Sequence, residues 1–196
     1  MVLRPKARAV FLDRDGTLIR DVGYLSREDE IEILPRVPEA LCLLRETGLK
    51  VVVITNQSAV ARGRLTEQKL QKIHDELRHD LAKRGASLDG IYYCPHHPTE
   101  GEGIYAIVCD CRKPAAGMVH RAAEELGLEP SISYVVGDQR TDMELARQIG
   151  AKGLWIRSEL QPKEQTGSTC QRVADLWEAA EWIASDYKAI ETGRKT

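Results

Sequence analysis

The stretch Ala9-Val10-Phe11-Leu12-Asp13-Arg14-Asp15-Gly16-Thr17 decides the fold of this chain. Four apolar residues in a row, broken at once by a polar turn, fit a strand buried on both faces, as in a parallel sheet covered by helices. Asp13 and Asp15 leave the end of that strand together. Aspartates two apart in a tight turn can share one metal ion, while Gly16 permits the sharp turn and Thr17 offers it a hydroxyl. That arrangement suits the handling of phosphate. An Asp-rich turn can also merely cap structure, so the reading depends on whether other strand ends carry matching chemistry.

Downstream, short β-branched runs alternate with amphipathic stretches, which predicts a parallel sheet with helices on its faces. Strands are expected at 7–12, 50–54, 91–93, 134–136 and 153–156. The first helix has Pro38 near its first turn, Leu41 and Leu44 inside and Gly48 as its stop. The second starts from a Thr66 N-cap and buries Leu70, Ile73, Leu77 and Leu81. A third opens at Pro114 and closes near Gly127, a fourth runs from a Thr141 cap to Gly150, and Val173, Leu176, Trp177, Ala180 and Ile183 mark a fifth. His74 and His79, five apart on the second helix, share no face and are expected in solvent. Cys42 is expected in the core, and Trp155, Trp177 and Trp182 in packing. Segments 16–35 and 94–114 fit neither period, and insertions of that length beside strand ends carry function. One domain over 1–190 with a tail at 191–196 is the expected organisation.

A chain of 196 residues, 42% of them hydrophobic, can bury one sizeable core. The formal charge of −2 supplies no global basic field, and no basic stripe interleaved with aromatics appears, which disfavours nucleic acid. Residues 1–8 are basic but lead into too short an apolar run for a signal peptide, and no stretch approaches a membrane span. Five cysteines are an odd number, so reduced or metal-bound thiols are expected rather than a disulfide framework. A cytoplasmic monomer acting on a small molecule, with no nucleic-acid or membrane partner, follows as the expectation. There is no Walker loop and no dinucleotide glycine fingerprint.

In a doubly wound sheet the ligand lies beyond the carboxyl ends of the strands. The residues expected there are Asp13 and Asp15, Thr55 and Asn56, and Asp138, joined by Arg112 and Lys113 ahead of the Pro114 helix. Carboxylates without a cation would repel one another and a phosphate, so a hard divalent ion such as Mg²⁺ is implied. The inventory suggests that Asp13 attacks phosphorus to give an aspartyl phosphate while Asp15 protonates the leaving alcohol and later activates water. Mg²⁺ and Lys113 would stabilise the equatorial oxygens, with Thr55 and Asn56 donating hydrogen bonds.

A second constellation is Cys94-Pro95-His96, followed after twelve residues by Cys109-Asp110-Cys111. Four soft ligands in two close pairs suit a tetrahedral, structural Zn²⁺, which leaves no position for a substrate water. His97 is the rival ligand, and His96 is preferred because its spacing mirrors the other pair. Gly101, Glu102 and Gly103 let the intervening loop close. Zinc here would brace Arg112 and Lys113 against the strand ends. Cys170 has no evident partner.

DRDGT at 13–17, the strand ending in Thr55-Asn56, Lys113, and GDQRTD at 137–142 together resemble the four motifs of the haloacid dehalogenase (HAD) superfamily of phosphohydrolases. RDVGY at 20–24, TNQS at 55–58, CPHH at 94–97, CDCRKP at 109–114 and GDQRTDMELA at 137–146 make the chain similar, over nearly its whole length, to the heptose 1,7-bisphosphate 7-phosphatase family. The resemblance implies a Rossmann-like three-layer α/β/α sandwich with a mainly parallel sheet, without a large cap domain and with a zinc-stapled loop. It implies Mg²⁺ at Asp13, Asp15 and Asp138, and zinc at Cys94, His96, Cys109 and Cys111. Substrate contacts are implied at Asp21, Val22, Gly23, Tyr24, Thr55, Asn56, Gln57, Ser58, Arg112 and Lys113. The implied product is heptose 1-phosphate, on the route to nucleotide-activated heptose for lipopolysaccharide.

Gln139 departs from the pattern, which has a lysine there; it can hydrogen-bond a phosphate or a metal-bound water but adds no charge. Asp142 could hold a metal-bound water, orient Lys113, or serve only as a first-turn helix acid. Histidinol-phosphate phosphatases resemble this family in both the catalytic motifs and the zinc loop, and RDVGY favours the sugar bisphosphate over them. A nucleic-acid end-processing phosphatase and a zinc-stapled binding module without catalysis are the more distant readings.

Overall fold

The computed structural model describes residues 6–101, 103–157 and 170–193. Residues 1–5, Glu102 of the expected zinc loop, residues 158–169 and residues 194–196 of the expected tail lie outside the described residues. Six parallel strands form one sheet: β1 (Ala9–Leu12), β2 (Lys50–Asn56), β3 (Gly90–Cys94), β4 (Tyr134–Gly137), β5 (Lys152–Ile156) and β6 (Cys170–Val173). Their order is β3-β2-β1-β4-β5-β6. β1 is therefore central, with Phe11 beside Val52 on one side and Val135 on the other. The five α-helices among the described residues are α1 (Val37–Glu46), α2 (Glu67–Lys83), α3 (Gly117–Leu126), α4 (Arg140–Ile149) and α5 (Leu176–Gly193).

The period of two along each strand builds a core on each face. Val10, Leu12, Val51, Val53 and Val136 pack with Leu41 and Leu44 of α1, Ile73 and Leu77 of α2, and Ala180 and Ile183 of α5. Ala9, Phe11, Val52, Ile54 and Val135 face the other way, onto Met118, Val119 and Ala122 of α3 and Leu145 of α4. Each such Val, Leu, Ile or Phe contributes about 1.5–3 kcal/mol by leaving water. Three layers follow. The chain moves outward from β1 in one direction through β2 and β3, and in the other through β4 to β6. The crevice at that reversal, beyond the carboxyl ends of β1 and β4, is where ligands of such sheets bind.

Several local expectations hold and several need correction. Thr66 caps α2, its Oγ1 accepting from the Lys69 amide at 3.2 Å. α3 begins at Gly117 rather than Pro114, because residues 112–117 turn back on the preceding loop. Ala115 N–H donates to the Arg112 carbonyl and Gly117 N–H to the Asp110 carbonyl, both at 2.8 Å. α4 is capped by Gln139, not Thr141, which already lies inside the helix. Val173 ends β6 instead of opening α5, and Ala7 sits in an isolated bridge to Leu128 ahead of β1. α5 continues through Gly193, into the first three residues read as tail. Cys42 is only half-buried, and among the described residues the buried Thr17 hydroxyl finds no hydrogen-bond partner in its turn. No helix among the described residues is long and apolar enough to cross a membrane.

Gly137, the last residue of β4, has no room for a side chain: a Cβ there would stand 2.7 Å from the Cβ of Asp142. Gly137→Ala is expected to cost about 1–3 kcal/mol through overpacking, measured as a lower urea midpoint with an unchanged slope. An unchanged midpoint would show that Asp142 can move aside freely.

Candidate active site

Asp13 follows β1 directly and is buried, and its Oδ1 accepts from the Arg14 backbone N–H at 2.7 Å. The Lys113 ammonium lies 2.9 Å from that oxygen and 2.7 Å from Oδ1 of Asp142. Lys113 is 3% exposed and Asp142 is fully buried. Burial works against the Lys113 ammonium, but Asp13 and Asp142 overcome it and hold its pKa above the usual lysine value. Burial likewise lifts the Asp142 carboxyl above the carboxylate range, against the pull of Lys113.

Backbone contacts set these side chains. Asn56, at the end of β2, grips the Lys113 main chain with both ends of its amide: Oδ1 accepts from Lys113 N at 2.9 Å and Nδ2 donates to Lys113 O at 3.1 Å. One Nδ2 hydrogen and Oδ1 are thus used to hold Lys113. Asp142 Oδ2 accepts from the Gln139 amide at 3.0 Å as part of the α4 cap, and the space left by Gly137 lets it sit there.

Asp138 closes the cluster from the end of β4. Burial, then the charges of Asp13 and Asp142, push its carboxyl up to about 7. Gln139 Nε2 donates to Asp138 Oδ2 at 3.1 Å, a neutral contact in place of the lysine expected there, and Trp155 Nε1 donates to the Asp138 carbonyl at 3.0 Å. Oxygens of Asp13, Asp138 and Asp142 all lie within 4.8 Å of one another. Three carboxylates against one ammonium leave two excess negative charges, which a hard divalent cation offsets. The space beside them is kept open by Gly16, whose φ is +72°; a Cβ there would lie 2.7 Å from Asp138 Cγ. The donor set and that cradle both fit Mg²⁺.

The structure places the Asp15 carboxylate outside this cluster, where Asp142 stands instead. Both Asp15 oxygens are held by Arg14, at 2.9 to 3.3 Å from Nε and Nη2, and Oδ2 also accepts from Gln57 Nε2 at 3.0 Å. Burial raises the Asp15 carboxyl above its usual value in spite of Arg14. Gln57 Nε2 donates as well to Thr55 Oγ1 at 2.8 Å, and Gln57 Oε1 accepts from Arg14 Nη2 at 2.9 Å. His74, expected in solvent, is buried at 2% exposure with its Nε2 3.1 Å from Arg14 Nη1. Neither Arg14 nor His74 stands out in the sequence. The available signal was an arginine between the two aspartates of a strand-end turn.

The loop at 21–24 is exposed apart from the half-buried Tyr24. Asp21 Oδ1 accepts from Gly23 N at 2.7 Å, and the Arg64 guanidinium lies 4.2 Å from the Tyr24 ring centre. Ser58 is half-buried in the turn after β2, where its carbonyl accepts from the Arg62 amide at 3.0 Å.

The second cluster assembles as its spacing suggests. Sulfurs of Cys94, Cys109 and Cys111 are 3.1 to 3.5 Å apart, and His96 Nδ1 is 3.3 Å from Cys111 Sγ and 3.7 Å from Cys94 Sγ. A tetrahedron with Zn–S bonds of about 2.3 Å has edges of about 3.8 Å, so these four atoms fit one zinc ion after a small expansion. His97 is otherwise engaged: its Nδ1 accepts from the amides of Glu100 at 2.9 Å and Thr99 at 3.4 Å. Arg112 Nη1 donates to the His96 carbonyl at 3.1 Å, which ties the residue before Lys113 to the metal loop. Tyr93 and Tyr105 both donate to Glu67, at 2.6 and 2.7 Å, fastening the same loop to α2.

A HAD-hydrolase-like family model matches residues 110–179. A D-glycero-β-D-manno-heptose-1,7-bisphosphate 7-phosphatase of Pasteurella multocida is 41% identical over 174 residues, covering 86% of this chain and 94% of that protein. The enzyme of the same name from Haemophilus ducreyi is 46% identical over 146 residues, covering 74% of this chain and 80% of that protein. Among solved structures, a D,D-heptose 1,7-bisphosphate phosphatase from B. bronchiseptica, complexed with magnesium and phosphate, superimposes with a TM-score of 0.80 at 29% identity, covering 91% of this chain and 99% of that one. With the strand order, the buried Lys113 between two carboxylates and these likenesses in agreement, the chain belongs to the D-glycero-β-D-manno-heptose-1,7-bisphosphate 7-phosphatase family of HAD-like hydrolases.

Proposed function

We propose that this chain hydrolyses the C7 phosphate of D-glycero-β-D-manno-heptose 1,7-bisphosphate, giving heptose 1-phosphate and inorganic phosphate for nucleotide-activated heptose synthesis. The observation that carries the reaction is Asp13 held 2.9 Å from the buried Lys113 ammonium, beside Asp138 at the crevice between β1 and β4. The names of the relatives support the substrate and its β anomer. The reading extends to a monomeric cytoplasmic enzyme whose partner is the sugar bisphosphate.

Asp13 attacks phosphorus, the bond from phosphorus to the C7 oxygen breaks, and that oxygen takes the proton of the Asp15 carboxyl, leaving an aspartyl phosphate on Asp13. Asp15, now a carboxylate, takes a proton from water as the water oxygen attacks phosphorus. The bond to Asp13 breaks, phosphate leaves, and both aspartates return to their starting forms. The raised Asp15 carboxyl supports its role as the acid. Lys113 faces the charge that develops on the phosphoryl oxygens, and Thr55, whose Oγ1 accepts from Gln57, keeps its own proton to donate there. Asn56 and Asp142 act through Lys113, by its backbone and its ammonium. Asp21, Val22, Gly23, Tyr24, Ser58 and Arg112 are assigned to the sugar and its second phosphate.

Mg²⁺ would be held by the carboxylates of Asp13 and Asp138, with Asp15 assigned to it only by the resemblance, since its carboxylate is engaged by Arg14 and Gln57. When bound, it neutralises charge on the phosphoryl oxygens. Zinc at Cys94, His96, Cys109 and Cys111 would be structural, since four protein ligands fill its coordination.

Comparing kcat/KM for both anomers of heptose 1,7-bisphosphate and for histidinol phosphate tests the substrate. The β anomer is expected to lead by at least about tenfold, or ~1.4 kcal/mol in transition-state binding. A lead for histidinol phosphate would overturn the substrate while keeping the chemistry.

The raised Asp138 carboxyl makes Mg²⁺ binding pH-dependent. Without metal, the folded state holds a proton there more tightly than the unfolded chain, so this group's contribution to stability is present at low pH and lost as pH rises through about 7. Mg²⁺ must displace that proton. Its affinity, followed by thermal shift, is therefore expected to tighten from about pH 5.5 to about 7.5 and then level off. A flat profile would count against Asp138 as a ligand.

Chelating zinc should lower the melting temperature by about 5 °C or more, because the cluster ties β3 to the loop that returns to Lys113. Full thermal stability after zinc is stripped would contradict a structural role.

A further inference from the structure

Among the described residues Arg14 is one of the largest buried side chains, 2% exposed, in a turn whose flanking aspartates do the proposed chemistry. Burying a guanidinium is costly unless its donors are met, and here they are divided among three partners. Nε and Nη2 chelate both oxygens of Asp15, Nη2 also reaches Gln57 Oε1 at 2.9 Å, and Nη1 reaches His74 Nε2 at 3.1 Å. Arginine carries no acceptor, so the last contact requires a lone pair on Nε2 and hence a neutral imidazole with its proton on Nδ1. Burial and the charges of Arg14 and Arg78 push His74 down to about 3, which keeps it in that form. His74 projects from α2, sixty positions along the chain from Arg14, and the rest of its ring packs near Tyr93 at a centroid distance of 5.6 Å.

We infer that Arg14 and His74 are positioning residues for Asp15: His74 holds the guanidinium, and the guanidinium fixes the plane of the carboxyl that must meet first the leaving oxygen and then the attacking water. The inference rests on the reading of Asp15 as the general acid and base. A guanidinium fork imposes a definite orientation on a carboxylate, which a single hydrogen bond does not. A quarter of the Asp15 side chain stays open to solvent, so the group is held without being sealed off. Gln57 extends the same network to Thr55, linking the acid to a donor aimed at the phosphoryl group. Without the His74 acceptor, Nη1 is left buried and unmet, a cost that favours a shift of the guanidinium away from its present geometry on Asp15.

The test compares two esters across wild type, Asp15→Asn, His74→Gln and His74→Asn, using kcat/KM so that the step releasing the alcohol is read. Heptose 1,7-bisphosphate has an alkoxide leaving group that needs a proton, whereas p-nitrophenyl phosphate releases a stable phenolate that needs little help. Asp15→Asn is expected to lose far more on the sugar ester than on the aryl ester. His74→Asn, too short to reach Arg14, is expected to show the same selectivity at about tenfold or more, part of the roughly 10²–10⁴-fold a positioned acid contributes. His74→Gln can place an amide oxygen against Nη1 and is expected to restore most of the sugar-ester rate. Equal losses on both esters for His74→Asn, or the same sugar-ester rate in both His74 variants, would overturn the inference while a selective Asp15→Asn upholds the acid. A non-selective loss in Asp15→Asn would overturn both. Should His74→Asn fail to fold, Arg14→Met removes the buried cation together with its desolvation cost, and the same ester selectivity is required of it.

Discussion

A single buried ammonium, that of Lys113 shared between Asp13 and Asp142, is the interaction on which the rest of the structure depends. A lysine taken fully out of water is expensive unless carboxylates meet it, and each carboxylate is equally expensive without the lysine. The fold therefore brings three separate segments to one point. The end of β1 leads into Asp13, the first turn of α4 supplies Asp142, and the loop ahead of α3 supplies Lys113. Gly137 and Asn56 serve that meeting, one by leaving room for Asp142 and the other by pinning the Lys113 backbone.

The cluster of Cys94, His96, Cys109 and Cys111 belongs to the same constraint rather than to a remote staple. Cys111 is two residues from Lys113, and Arg112 between them donates to the carbonyl of His96, another member of the cluster. Cys94 ends β3, whose neighbour β2 carries Thr55 and Asn56 in direct register with Tyr93 and Cys94. A metal holding Cys94 to Cys109 and Cys111 would thus fix the far end of the lysine loop against the strand that grips its near end. On the proposed function, the sugar ester would meet a site already assembled, in which Asp13 is restrained by Lys113 and Asp15 by Arg14. Such preorganisation lets charge developing on a phosphoryl group meet fixed partners instead of reorienting water.

Much of this was legible in the sequence where chemistry and local pattern coincide. Apolar runs ending in Asp13, Thr55 and Asp138 located the crevice, and Cys94-Pro95-His96 with Cys109-Asp110-Cys111 located a cluster that could hold a metal, because both signals are written in neighbouring residues. What escaped depends on distant partners. His74 looks like a surface histidine on an amphipathic helix until Arg14 is found against it, and of the three readings the sequence left open for Asp142 only the structure singles out its contact with Lys113. β6 escaped for another reason: Gln171 and Arg172 are exposed on this edge strand, so no apolar run marks it. Pro114 reads as a helix start, yet the return of the zinc loop claims those residues for turns and delays α3 to Gly117.

The claim that joins these parts is that the phosphoryl group passes through Asp13. Acid quench during steady turnover of heptose 1,7-bisphosphate, followed by borohydride reduction and peptide mass spectrometry, tests it directly, since reduction converts an aspartyl phosphate to homoserine. Homoserine at position 13, dependent on substrate and absent when Asp13 is replaced by Asn, is the expected result. An unmodified Asp13 during full turnover, with modification at another side chain or at none, would contradict it.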